Sequence, residues 1–130
     1  MDSYFFLEIW IGKFFPLILI GKEYFSKRIE KSVNEFLIVS ILKDNQIKQY
    51  IKIAEEIKLD CIIETHNEDE IKRAIDIGYP IIGINNRNLK NLSININNTL
   101  NLVKKIDKYF TIISESGIKS KDDIKKYNEL

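Results

Sequence analysis

The chain has 130 residues, room for one domain. With 20 Lys and Arg against 19 Asp and Glu, it presents no broad field to draw nucleic acid or an anionic membrane, and neither is expected as a partner. At 45% hydrophobic residues it can enclose a core, and its single cysteine, Cys61, excludes a disulfide framework or a Cys-based zinc site and suits a reducing, cytoplasmic setting.

Residues 1–13 fit neither a helical nor a strand period. The apolar stretch YFFLEIWIGKFFPLILI (4–20) carries Glu8, Lys13 and Pro16. A spanning helix needs about 20 predominantly apolar residues and a signal peptide opens on basic ones, so neither is expected. Trp10 reads as loose packing rather than a binding platform. LILI (17–20) suits a strand, and Phe25, Ile29, Val33 and Phe36 stand at helical spacing, which together would make one upstream β–α unit.

From Phe36 the pattern sharpens. Four short apolar runs follow: FLIVSIL (36–42), CIIET (61–65), PIIGI (80–84) and FTIIS (110–114). They are β-branched and continuous, as strands covered on both faces are. Between them Ile47, Ile51, Ala54 and Ile57 share one helical stripe. Asn67 with Glu70 is a capping-box pair opening a second helix, with Ile71, Ala74 and Ile75 inside and Gly78 as its stop. Leu100, Val103 and Ile106 mark a third helix, and Ser120 with Asp123 caps a fourth that buries Ile124 and Tyr127. Strand and helix alternate four times, so right-handed crossovers give a parallel sheet with helices outside.

Strand parity then locates polar residues. Glu64 shares a side with Ile62, Asn85 with Gly83 and Ile81, and Glu115 with Ile113. All three stand at the carboxyl ends of their strands, the rim where parallel α/β folds bind ligands. Ordinary readings compete: a lone Glu there is commonly a solvated cap, and Asn85 and Asn86 also suit a turn. Ser116 and Gly117, ahead of a helix, would let backbone N–H groups approach an anion. His66 has no metal partners within reach of the sequence and reads as a helix-flanking polar residue.

LIVSILKDNQ, IIETHNEDEIKRAIDIG, IIGINNRNLKNLSININNT and ISESGIKSKDDI together resemble the indole-3-glycerol-phosphate synthase family over residues 36–130. GINNRNL followed at this distance by ISESGI is its most specific signature. NLSININNT is most similar to the bacterial form fused to phosphoribosylanthranilate isomerase. The resemblance implies an α/β fold, a partial (βα)8 barrel from about the fourth strand to the seventh helix, with residues 1–35 as a divergent segment and 36–130 as the synthase domain. It implies a lyase of tryptophan biosynthesis that closes the indole ring of carboxyphenylamino-deoxyribulose phosphate with loss of CO2 and water, without cofactor or metal. By the same resemblance Glu64 is the general base, Asn85 holds substrate with Arg87 beside it, Glu115 is the second carboxylate of the site, and Ser116 and Gly117 open the phosphate loop.

The family's first-strand Glu-x-Lys and third-strand Lys-Asp-Phe have no counterpart in register here. GKEYF (21–25) is the nearest approach, with Lys22 about half a dozen residues too close to the next strand, and an eighth strand would lie past Leu130. The third-strand lysine is the family's general acid, and loss of such a group costs about 10² to 10⁴ in rate. A full barrel takes about 250 residues, and four or five strands leave open edges that favour self-association. The chain is therefore expected to be impaired or inactive alone. The alternative is a non-catalytic α/β remnant or interaction module.

Overall fold

The computed structural model describes residues 5–11, 15–21 and 33–127, with side chains from Phe36 onward. Its elements run β1 (Phe5–Ile11), β2 (Phe15–Gly21), β3 (Val33–Ile38), α1 (Asp44–Glu56), β4 (Asp60–Thr65), α2 (Glu68–Ile77), β5 (Ile81–Asn85), α3 (Asn97–Leu102), β6 (Thr111–Glu115) and α4 (Lys121–Tyr127). They form one six-stranded sheet in the order β1-β2-β6-β5-β4-β3. From β3 to β6 the strands are parallel and alternate with helices, the architecture of a partial (βα)8 barrel. The continuous apolar runs are buried along their length: Ile62, Ile63, Ile82, Ile84 and Ile113 are fully enclosed. Each such side chain contributes on the order of 1.5–3 kcal/mol of burial energy.

Upstream the outcome differs from the expectation. The strand foreseen at 17–20 lies within β2, but β2 runs antiparallel to β6 and pairs antiparallel with β1 as a hairpin. Residues 5–11, which fit no period, are thus a strand whose pairing partner, not its own pattern, organises it. Val33 and Phe36 belong to β3 rather than to a helical stripe. Phe25, Ile29 and Lys22 lie outside the described residues. No helix among the described residues is long and apolar enough to cross a membrane.

Helix boundaries follow their local chemistry. In α2 the Asn67 side chain accepts from the Glu70 backbone N–H at 3.0 Å, and Gly78 at φ 80° closes the helix as a left-handed cap. Ahead of α4 the Ser120 hydroxyl accepts from Asp123 N while the Asp123 carboxylate accepts from Ser120 N, a reciprocal box. In α1, Ile47 and Ala54 are buried as foreseen, but Ile57 is 62% exposed because the helix ends at Glu56 and Ile57 caps it. The third helix is shorter than its stripe implies. It ends at Leu102, continues as a 3-10 turn to Lys105, and buries Thr99 and Leu102, leaving Leu100, Val103 and Ile106 half-buried.

Asn86 explains that rotation. Its side-chain oxygen accepts from both the N–H and the hydroxyl of Thr99 (3.1 and 2.9 Å), and its amide donates to the Ser114 hydroxyl and the Ser116 carbonyl. The network continues from Ser114 to the Tyr127 hydroxyl at 3.0 Å. One asparagine therefore ties β5, α3, β6 and α4 together in a dry interior, where an unmet polar group is costly. Asn86→Ala is expected to destabilise the fold by about 1–3 kcal/mol, the usual cost of stranding buried partners. Urea denaturation checks it; a midpoint within error of the parent would refute the assigned role.

Candidate functional site

Three strand ends build the site. Register places Glu64 opposite Gly83, and Gly83 opposite Ile113; two residues nearer the loops Asn85 stands opposite Glu115. Paired residues of parallel neighbours project to the same face, so both carboxylates and the amide share the side that holds Ile62 and Ile113. Asn85 donates from Nδ2 to Glu64 Oε1 at 2.9 Å, while its Oδ1 accepts from the Arg87 backbone N–H and the Ser116 hydroxyl, each at 2.9 Å. Glu64, Asn85 and Ser116 are thus linked through one side chain.

Glu115 takes the space left by Gly83. A Cβ at residue 83 would collide with Glu115 Oε1 and lie 2.7 Å from Ile62 Cγ2. Glu115 is 5% exposed, and its Oε1 has no hydrogen-bond partner. Burial pushes this carboxyl well above the usual carboxylate range, and the charge of Glu64 pushes it the same way.

The folded state therefore holds a proton that the unfolded chain releases near 4.5. Where the folded state binds more protons, stability falls as pH rises. The contribution of Glu115 is accordingly fully present below about 4.5 and is lost as pH climbs through the raised folded value. Glu115→Gln, neutral and nearly isosteric, is expected to flatten that decline and raise the melting temperature at neutral pH. Thermal melts across pH test this, and a parent-like slope in the variant would contradict it.

The other candidates are placed less symmetrically. Ser116 (φ 69°) and Gly117 (φ 86°) both adopt left-handed backbone, and a Cβ on residue 117 would strike Ile94 Cγ2, so glycine is required there on two counts. Arg87 lines a cavity of about 470 Å³ that opens among the loops after β4 and β5, together with His66, Glu70, Asn85, Lys90 and Asn98. Neither Glu64 nor Glu115 is on its wall. Among the described residues no group of three or more His, Cys, Asp or Glu side chains could hold a metal ion.

A family model described as indole-3-glycerol phosphate synthase matches residues 28–130. The chain belongs to this family. It is 47% identical over 88 residues to the indole-3-glycerol phosphate synthase of Leuconostoc mesenteroides, a match covering 68% of this chain and 34% of that protein. To the synthase of Acetivibrio thermocellus it is 35% identical over 127 residues, covering 92% of this chain and 49% of that one. The tryptophan biosynthesis protein TrpCF of Buchnera aphidicola is 47% identical over 94 residues, 72% of this chain and 20% of its own length. The chain thus spans a fifth to a half of the length of these synthase-family relatives.

Within this synthase-family rim, sequence reasoning undervalued His66. Read as a helix flank, it does precede α2, but its ring lies between Glu64 and Glu70. The signal was present as Glu-x-His-x3-Glu: two residues apart on an extended chain return to one face, and four apart on the helix entry meet again.

Proposed function

We propose that the chain carries the carboxyl-side part of a synthase active site and acts in indole ring closure on carboxyphenylamino-deoxyribulose phosphate, with release of CO2 and water. The observation that carries this reading is the pairing of Glu64, held by Asn85, with Glu115, a buried carboxyl on the same face whose hold on its proton burial strengthens. Two neighbouring carboxyl groups in unlike surroundings, one hydrogen-bonded and one buried without a partner for its Oε1, suit a proton-in, proton-out reaction. Glu64 takes the proton, and Glu115 is positioned to return one. Asn85 orients Glu64 and the substrate, Arg87 meets an anionic group from the cavity wall, and Ser116 and Gly117 begin the turn that receives phosphate.

Without the first- and third-strand lysines in register, turnover by the chain alone is low or absent, and a complementing chain that brings those strands would raise it. The exposed apolar flank of β3 and α1, with Phe36, Ile41, Tyr50, Ile53 and Ile57, favours self-association in the absence of such a chain. The setting we propose is the cytoplasm, where the family's sugar-phosphate substrate would be made.

The test is direct. Purified chain is supplied with the carboxyphenylamino sugar phosphate and indole fluorescence is followed. Signal supports the assignment. Its absence from folded protein, both alone and with a fragment carrying the first three strands of a relative, favours a non-catalytic remnant. The tie between the Ser116 hydroxyl and Asn85, which commits that hydroxyl's proton to a protein acceptor, is the observation on that side.

A further inference from the structure

His66 sits where the site's rim meets the cavity, with one ring nitrogen toward each of two carboxylates. Nδ1 lies 3.0 Å from Glu70 Oε2, and that same oxygen accepts from the His66 backbone N–H at 2.8 Å. Nε2 lies 3.2 Å from Glu64 Oε1, at ion-pair distance but off the hydrogen-bond direction. The His66 carbonyl accepts from Asn98 Nδ2 at 3.1 Å, so α3 also pins the backbone there. The side chains of His66, Glu64 and Glu70 are 11%, 8% and 13% exposed. Three titratable groups do not pack this closely, this deep, without governing one another.

We propose that His66 is a positioning residue for Glu64: Glu70 orients the ring, and the ring abuts the same Glu64 carboxylate oxygen that accepts from Asn85, so that the carboxylate keeps its place. The proposal rests on the reading that Glu64 exchanges a proton with substrate. Glu70 fixes the plane of the imidazole through its Nδ1 contact, as a carboxylate does behind a ligating or catalytic histidine. Glu64 Oε1 then meets two neighbours, the Asn85 amide that donates to it and the Nε2 edge of the ring at ion-pair distance, and loses the rotameric freedom that would take it off line. The Glu64 carboxylate beside it, aided by Glu70, raises the imidazole above its usual value, with burial opposing. The charges facing this cluster come from several elements: Glu64 on β4, Glu70 on α2, Arg87 and Lys90 from the loop after β5 across the cavity, and Glu115 on β6 through its coupling to Glu64.

The chain has one histidine, so its imidazole carbon and nitrogen signals can be followed by NMR on the intact protein without assignment. The titration midpoint of the parent is expected above the ordinary histidine value, and Glu64→Gln and Glu70→Gln are each expected to lower it. Glu70→Gln keeps an oxygen to accept from the His66 N–H and so keeps the fold. In His66→Gln the Glu64 carboxyl carbon, identified by its loss in Glu64→Gln, should titrate differently while the backbone amide spectrum stays dispersed. With turnover measured, His66→Gln is expected to lower kcat by up to about 10²-fold and displace the pH profile, leaving KM nearly unchanged.

A His66 midpoint unmoved by Glu64→Gln overturns the proposal, as does a Glu64 titration indifferent to His66→Gln. A parent chain that never turns over, even when complemented, sinks the catalytic reading instead. The two titrations still decide whether His66 holds Glu64.

Discussion

Glu64→Gln is expected to lower ring closure by about 10²–10⁴-fold, the usual contribution of a positioned proton-transfer group. The variant keeps a carbonyl oxygen to accept from Asn85 Nδ2, so the fold and the placement of the Asn85 amide should persist. What disappears is basicity, and with it the negative charge that helps to keep Glu115 protonated. The loss should therefore fall on kcat rather than KM. Indole fluorescence, in the chain alone or complemented, measures it. Equal rates in parent and variant would remove Glu64 from the chemistry, and would shift attention to Glu115, the buried carboxyl at the end of β6 on that face.

Gly83→Ala carries the largest structural effect. A Cβ at this position meets two neighbours at once, Glu115 Oε1 and Ile62 Cγ2. The glycine lies mid-strand in β5 between β4 and β6, so the backbone has little room to yield. Overpacking of this kind costs about 1–3 kcal/mol, and each kcal/mol lowers the melting temperature of a small domain by roughly 4–8 °C. The carboxyl of Glu115 would also be expelled from its seat, so activity should fall with stability.

A double-mutant cycle separates the two contacts. Glu115→Ala removes one of them, and the pair Gly83→Ala with Glu115→Ala is expected to be less destabilised than the sum of the single changes. Strict additivity would mean that the two side chains do not compete for one space. Glycine in a buried strand thus has a specific role here: its missing side chain leaves the space that the Glu115 carboxyl fills.

Much of this was legible in the chain itself, for reasons that can be named. β4 is recognisable because CIIET is apolar and β-branched without a break, which only a doubly covered strand tolerates. α2 is recognisable because Asn67, Glu70 and Gly78 satisfy its ends locally. That Glu64, Asn85 and Glu115 each share a side with Ile62, Ile81 and Ile113 of their own strands follows from the two-residue period, whereas the register between strands makes those sides one face. Failures came where a distant partner overrode a local pattern. Ile57 kept the helical stripe, but the helix had already ended. The third helix turned Thr99 inward rather than following Leu100 and Val103, because Asn86, just past β5, binds the Thr99 N–H and hydroxyl.

By itself, then, the sequence determined the alternation of strands and helices from residue 36 onward, the side on which each rim residue projects, and membership in the synthase family. Those depend on periodicity, capping and motif, which are short-range. Tertiary structure alone decided that residues 5–21 pair as antiparallel strands beside β6 and that Gly83 makes room for the buried Glu115 carboxyl. Each of these is a meeting of residues far apart in the chain or of faces whose approach depends on packing. Distances and burial, the quantities that set a carboxyl's charge, exist only once the strands have been laid side by side.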